Sequence, residues 1–349
     1  MSALHFTLVG AGEVVSKYWL HSESLGKIVI DHIISLERKE DFNANFPNHS
    51  GRYHVTTGNE ETVEIIKNLG PSQNIALLIP EEKLGLAKAL LDLSPKYFFT
   101  IFWEKPYITD PSHITGIQEL LRAYSDRIHL SGKYGSGRSD ILYTHLPEGE
   151  IPEKVEATLI EGTSYFKKVV SKIQPGNTAH FVQLGPELDF GFHILDIVST
   201  ACKTRFSPVR NFRFTENDVS DLSRTNNNFL PKMGFSAQIT VELENGRTFP
   251  LSLTAGKAEG PTDRKIHFVY PEFSVFQEFT TPTGEDPVLK TGSGQTIELE
   301  RHSPDYDYYS SELSPLKFAH QLLPDQLNRV FLNQICLQLR SSRHMSSNQ

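Results

Sequence analysis

Asp189, His193 and Asp196 fall at spacing i, i+4, i+7 inside the run Leu188 to Val198, whose remaining residues are almost wholly apolar. On a helix that spacing gathers the three polar groups into one stripe. Burying such a stripe without partners costs on the order of 1 to 3 kcal/mol per unsatisfied group, so it is expected to face either solvent or a site. An imidazole titrates near neutrality and is suited to taking up and returning a proton. The plainer alternative is a core histidine bonded to its own aspartate.

A second candidate is Glu104-Lys105-Pro106, which follows the apolar run Phe98 to Trp103. If that run is a parallel strand, Lys105 emerges at its carboxyl end, where open α/β sheets bind ligands. Pro106 disfavours the helical region for Lys105. A lysine so placed can donate to a reacting oxygen and stabilise its developing charge. As an isolated tripeptide it also reads as an ordinary strand-ending turn.

Gly10-Ala11-Gly12 follows a predicted strand and opens a predicted helix, the context in which glycines bring backbone N–H groups up to a pyrophosphate. Val15 stands where the dinucleotide fingerprint has its third glycine, and a plain tight turn is the alternative. The second strand of such a unit ends in an acid in NAD binders, whereas a small polar residue with a nearby Arg accommodates a 2′-phosphate. Here Ser35 is placed at that end, with Glu37, Arg38 and Lys39 behind it.

These candidates need elements to carry them. The first third alternates apolar runs with helical patterns, the grammar of βαβ units and a doubly wound sheet. Strands are predicted over His5 to Val9, Ile28 to Leu36, Ile75 to Ile79 and Tyr97 to Trp103, with helices over Glu13 to His21, Val63 to Leu69 and Glu82 to Asp92. After Arg127 strand-like stretches follow one another: Ile128 to Lys133, Val155 to Glu161, Ala237 to Leu243, Thr248 to Ala255 and Ile266 to Tyr270. That pattern predicts a mixed, mostly antiparallel sheet in a second domain, with 215–234 and 280–295 as surface loops. One helix, about Glu187 to Lys203, interrupts the strands. Pro315 to Leu339 reads as helical with a break at Pro324, and Ser341 to Gln349 as a frayed tail.

The expected fold class is therefore α/β: a Rossmann dinucleotide-binding domain over 1–127, then an α+β domain over 128–349 for substrate binding and oligomerisation. The segment 315–339 is expected to pack near the first domain. A chain of 349 residues suits two domains, and 38% hydrophobic with 22% charged residues is a globular balance. The formal charge of −8, with no basic stretch, argues against nucleic acid. The start carries no basic n-region and reads as no signal peptide. No apolar stretch approaches the roughly 18 residues that span a bilayer, and a cytoplasmic protein is expected. Cys202 and Cys336, the 2 cysteines, sit in apolar runs and form no disulfide framework. The sequon Asn48-His49-Ser50 reads as a chance triplet. Lys133-Tyr134-Gly135-Ser136-Gly137 lacks phosphate-loop spacing, no His/Cys cluster has zinc spacing, and no Gly-x-Ser-x-Gly elbow occurs, so no metal is expected.

Taken in order along most of the chain, the glycine turn, a Pro after the third strand, Glu104-Lys105-Pro106 and Asp189-x-x-x-His193 resemble the glucose-fructose oxidoreductase/inositol dehydrogenase (Gfo/Idh/MocA) family. The chain departs from the family's usual Thr-Pro-Asn and following His, with Ile79-Pro80-Glu81 and Leu84 in their place. The resemblance implies an NAD(P)-dependent oxidoreductase that interconverts a secondary alcohol and a ketone on a sugar, cyclitol or related polyol. It puts Lys105, Asp189 and His193 on the catalytic positions, and Asp196 on a further acidic position. It implies cofactor contacts from Gly10, Gly12, Glu13, Val14, Ser35, Arg38, Pro80, Glu104 and Lys105. Substrate contacts would come from Lys105, Lys133, Asp189 and His193. It also implies a homodimer or homotetramer. Two other readings are a cofactor-recycling glycosidase or lyase of the same family and a non-catalytic dinucleotide-binding sensor.

Ser35 in place of an acid, with Arg38 and Lys39 behind it, favours NADP(H) over NAD(H), because a guanidinium fork suits a phosphate. Fluorescence titration is expected to show tighter binding of NADPH than of NADH; NADH binding about tenfold tighter, a difference near 1.4 kcal/mol, would contradict this reading.

Overall fold

The computed structural model describes residues 3–10, 19–24, 26, 28–35, 51–78, 83–132, 139–162, 185–226, 228–280, 288–299 and 321–346. The chain divides into two compact units, Met1–Ser131 with His302–Phe331, and Gly132–Arg301 with Leu332–Gln349.

The first unit is built on β1 (Leu4–Val9), β2 (Ile28–Ser35), β3 (Tyr53–Val55), β4 (Ser72–Leu77), β5 (Phe98–Trp103) and β6 (Ile128–Leu130). They form a 6-stranded sheet in the order β3-β2-β1-β4-β5-β6, and every pairing is parallel. The helices are α1 (Leu20–Ser24), α2 (Asn59–Leu69), α3 (Leu84–Leu91) and α4 (Ile114–Tyr124). A parallel sheet covered on both faces needs strands apolar on both faces. Accordingly β5 buries Phe99, Ile101, Phe102 and Trp103. Trp19 packs edge-on between Phe6 and Phe102, with ring centroids 5.1 and 5.5 Å away. The order reverses between β1 and β4, which makes their carboxyl edge the topological switch point where ligands bind in such sheets.

The sequence reading placed Ile128 to Lys133 among the strands of the second domain. The structure instead pairs Ile128–Leu130 with β5 in the parallel sheet. Three residues are too few to show which sheet they belong to. As an edge strand, β6 exposes backbone groups that must be satisfied. Side chains near the chain's end do this: Gln321 bonds both the N–H and the carbonyl of Leu130, at 2.7 and 2.9 Å. Gln326 donates to the Ile128 carbonyl at 2.5 Å, and Arg329 to that of Leu130.

The second unit holds α5 (Asp140–His145), β7 (Lys154–Glu161), α6 (Phe192–Ala201), β8 (Val209–Arg213), β9 (Val219–Asp221), α7 (Leu222–Thr225), β10 (Phe229–Leu243) and β11 (Thr248–Ala258). It continues with β12 (Asp263–Val269), β13 (Ser274–Thr280), β14 (Val288–Lys290) and β15 (Thr296–Glu298). Helix α8 (Leu323–Ser346) starts in the first unit and ends in the second. The 9-stranded sheet runs β15-β14-β13-β12-β7-β11-β10-β8, with β9 also on β10. Only β7 and β11 pair in parallel among its described pairings, so the sheet is mixed and mostly antiparallel, as expected.

Several local expectations are corrected. Residues 215–234, read as loop, hold a short 3-10 turn, β9, α7 and the start of β10. The polar residues that suggested a loop are caps: Thr215 and Asp218 form a reciprocal capping box, and Asp221 accepts from Ser223 N at 3.0 Å. Within 280–295 lies β14. Pro324 does not break a helix; it is the second residue of α8, where a missing N–H costs nothing. Residues 315–320 and 13–18 lie outside the described residues.

The tail expected to fray is helical to Ser346. Arg343 is buried, pairs with Glu187 through Nε and lies 3.5 Å from Asp221. Burial pushes the Glu187 carboxyl above the usual carboxylate range, and the Arg343 guanidinium works against that shift. Removing one member of a fully buried pair leaves an uncompensated charge. Arg343→Met is expected to lower the unfolding free energy by about 3 to 5 kcal/mol in urea denaturation, with much of it restored by adding Glu187→Met; an unchanged midpoint for the single variant would contradict this account.

Candidate active site

In the first unit, the carboxyl edge at the switch point is closed by backbone bonds. Gly10 follows β1 with φ 119, a conformation that L side chains rarely adopt. Its N–H donates to the Ile34 carbonyl of β2 at 2.8 Å, and Leu78 N donates to Val9 O at 2.9 Å. A glycine here leaves the backbone open to a close approach by a phosphate. Ser35 is the last residue of β2, as placed from sequence, and its carbonyl accepts from Thr56 N at 2.9 Å. Gly12, Glu13, Val14, Arg38, Pro80 and Lys133 lie outside the described residues.

Glu104-Lys105-Pro106 leaves β5 at the same edge and is held from two sides. Glu104 N donates to Leu77 O at 3.2 Å, and Lys105 N donates to Ser131 Oγ at 3.2 Å. Ser131 in turn donates its N–H to Trp103 O at 3.0 Å and accepts from the Tyr107 hydroxyl. From the other side Lys83, with 1% of its surface exposed, sends Nζ to Glu104 O at 2.6 Å and to Pro106 O at 3.2 Å. The Lys105–Pro106 peptide is cis. Glu104 is buried and Lys105 half-buried.

In the second unit, the helix expected over Glu187 to Lys203 is a composite. Glu187–Gly191 form a π turn, Phe192–Ala201 an α-helix and Cys202–Phe206 a second π turn. A π turn widens the spiral and re-aims side chains, and such turns recur at functional sites. A Cβ on Gly191 would lie 3.1 Å from the Phe235 ring, so the glycine lets β10 pack close under this turn. The helix is apolar on every side, with Leu188, Phe192, Leu195 and Val198 all buried. A helix so surrounded leaves no solvent face, and His193 and Asp196 are 4% and 2% exposed. Of the expected stripe, only Asp189 retains partial exposure, 23% of its side chain. Burial holds the Tyr143 phenol well above its ordinary range, with the Asp196 carboxylate adding to the shift. Tyr143 is therefore a neutral neighbour of that acid.

Asp189 is not alone on its turn. Lys257, buried at the end of β11, places Nζ 3.2 Å from Asp189 Oδ2 and 5.1 Å from the centroid of the Phe190 ring. Its ammonium is 4.0 Å from Glu161 Oε2, and Arg264 bonds Glu161 Oε1 at 2.8 Å. The parallel strands β7 and β11 thus end in a linked set of two acids and two bases beside the π turn. Sequence reasoning missed Lys83, Ser131 and Lys257. A signal existed for two of them: Lys83 abuts an apolar helix, and Lys257 breaks the small-residue run Ala255-Gly256-Lys257-Ala258. Lys105 belongs to the first unit, and Asp189 and His193 to the second.

No protein-family model matches the chain, and no curated protein sequence matches it. Solved structures do. UDP-N-acetylglucosamine 3-dehydrogenase GnnA from Acidithiobacillus ferrooxidans superposes with a TM-score of 0.64 at 10% identity, covering 98% of each chain. KijD10, a 3-ketoreductase from Actinomadura kijaniata solved with NADP, gives 0.60 at 13% identity over 96% of each chain. Biliverdin reductase from Synechocystis sp. PCC 6803, solved with biliverdin and NADP+, gives 0.58 at 14% identity over 96% of this chain and 98% of that one. The chain has the fold of these oxidoreductases: a parallel Rossmann sheet followed by a mixed, mostly antiparallel one.

Lys257→Met and Asp189→Asn are expected to be non-additive, with a coupling energy of about 1 to 3 kcal/mol. Chemical unfolding of the two single variants and the double variant measures it, and additive losses would show that the pair does not interact.

Proposed function

We propose that the protein is an NADP(H)-preferring oxidoreductase that interconverts a secondary alcohol and a ketone on a sugar. One observation carries the reading most: a Lys emerges from a doubly tethered Glu-Lys-Pro turn at the carboxyl edge of a parallel sheet, at the level of a positive-φ glycine that ends β1. The fold shared with a sugar 3-dehydrogenase and a 3-ketoreductase supports the substrate class.

The residues present fit a dinucleotide. Gly10 gives backbone approach at the switch point, Ser35 ends β2 without an acid, and Glu104 with Lys105 borders the same edge. Gly12, Glu13, Val14, Arg38 and Pro80 complete the binding set proposed from sequence. A nicotinamide held there supplies what no side chain can, accepting or returning the hydrogen and electron pair of a C–H bond.

The chain's own residues handle the proton and the oxygen. In the oxidative direction His193 takes the hydroxyl proton as general base, and returns it in the reverse. Lys105 donates to the reacting oxygen and stabilises its developing negative charge. Asp189, fixed by Lys257, orients His193 or binds a neighbouring hydroxyl, and Lys133 joins the substrate contacts. Burial favours the protonated form of the Tyr143 phenol.

Loss of a general acid or base typically costs about 10² to 10⁴ in rate. Lys105→Met and His193→Ala are each expected to lose turnover by that factor while keeping the fold and much of the NADPH affinity. The assay is NADPH oxidation at 340 nm against nucleotide-linked 3-ketohexoses, free keto-sugars and inososes. Full activity in either variant, or unfolding of His193→Ala, would overturn its assignment. A homodimer or homotetramer is also proposed, and light scattering at micromolar concentration checks it: a species of monomer mass would contradict it.

A further inference from the structure

We propose that Lys83 is the positioning residue for Lys105, a clamp that sets the direction in which the catalytic lysine leaves the sheet. The proposal rests on the role given to Lys105 above. Lys83 never reaches the reacting atoms in this reading; it acts through the turn.

The geometry is specific to the peptide groups on either side of Lys105. Lys83 Nζ donates to the carbonyl before it, Glu104 O at 2.6 Å, and to the carbonyl after it, Pro106 O at 3.2 Å. The N–H of Lys105 itself is taken by Ser131 Oγ at 3.2 Å. The Glu104–Lys105 peptide is therefore held at both of its polar atoms, and the Pro106–Tyr107 peptide at its carbonyl, so the backbone is tethered before and after Lys105.

A neutral donor could make either bond alone. An ammonium offers three donors at one point, so a single side chain can bridge two carbonyls that lie apart along the chain. Burying it carries a desolvation penalty, and a buried cation is retained where its bonds hold something in place. Lys83 also sits on a fixed mount. It precedes helix α3 and accepts the first helical bond, from Ala87 N at 2.9 Å. The clamp thus ties Lys105 to a helix and, through Ser131, to the end of β6, rather than to a free loop. Reactions that need a donor within hydrogen-bond reach of one oxygen are sensitive to such supports, and a displacement of about 1 Å can cost on the order of a hundredfold in rate.

The test uses the full chain with its lysines carrying 13C at Cε, and Lys105→Arg assigns the Lys105 signal. In wild type the two Hε protons of Lys105 are expected to be inequivalent, as in a held side chain. In Lys83→Met they should collapse towards one averaged signal, with the fold and much of the NADPH affinity retained. Turnover of the 3-ketohexose probe should fall about 10- to 100-fold, in kcat rather than in KM. Lys83→Met combined with Lys105→Met should be no slower than Lys105→Met alone, and Lys83→Arg, which keeps two donors, should recover most of the loss. If Lys83→Met does not fold, Lys83→Gln, which keeps a donor to one carbonyl, carries the same comparison. Unchanged Lys105 signals and turnover would overturn the proposal, as would losses that add in the double variant. Full activity of Lys105→Met would instead sink the functional reading, while the effect of Lys83 on the Lys105 signals would still stand or fall separately.

Discussion

A charge withdrawn from water has to be answered by nearby dipoles or by an opposite charge, and the described parts of this protein that carry chemistry are arranged around three such answers. Lys83 bonds the two carbonyls that flank Lys105. Lys257 bonds Asp189 and lies over Phe190. Arg343 pairs with Glu187 at the start of the π turn. In each case a long basic side chain is buried, and what it holds is a turn rather than a strand or helix interior. Turns lack the repeated backbone bonds that fix regular structure, so side-chain tethers are how their directions are set.

The same principle recurs in each unit. The Rossmann sheet supplies strand ends at its switch point, and its turn carries the donor proposed for the reacting oxygen. The mixed sheet supplies β7 and β11, whose parallel ends carry Glu161 and Lys257 beside the turn that carries Asp189. His193 follows on a helix buried on all sides. Lys105 and Asp189 thus sit on turns tethered by buried lysines.

Much of this was legible in the residues. Gly10, Glu104-Lys105-Pro106 and Asp189-x-x-x-His193 fall where their neighbours' periodicity put them, because strands such as Phe98–Trp103 are apolar on both faces and leave only their ends polar. The edges were harder. Ile128–Leu130 has too few residues to show its partner, and the polar side chains that satisfy it, Gln321, Gln326 and Arg329, lie far along the chain. The segment 215–234 looked like loop because capping residues and loop residues are the same types. For the polar stripe, sequence left solvent and a site both open, because spacing on a helix says which residues share a face, not what covers it. Lys83 and Lys257 were missed for a related reason: a lysine is normally on the surface, and only a three-dimensional partner shows that it is not.

The central claim is that this chain moves hydrogen between a nicotinamide and a sugar carbon. The direct measurement is isotopic: incubate the protein with NADPH deuterated at the transferable ring position and a panel of keto-sugars, then locate any label in the recovered sugars by mass spectrometry and NMR. The account predicts one deuterium on the carbon of a newly formed secondary alcohol, dependent on the protein. Tight NADPH binding with no deuterium in any sugar would contradict it.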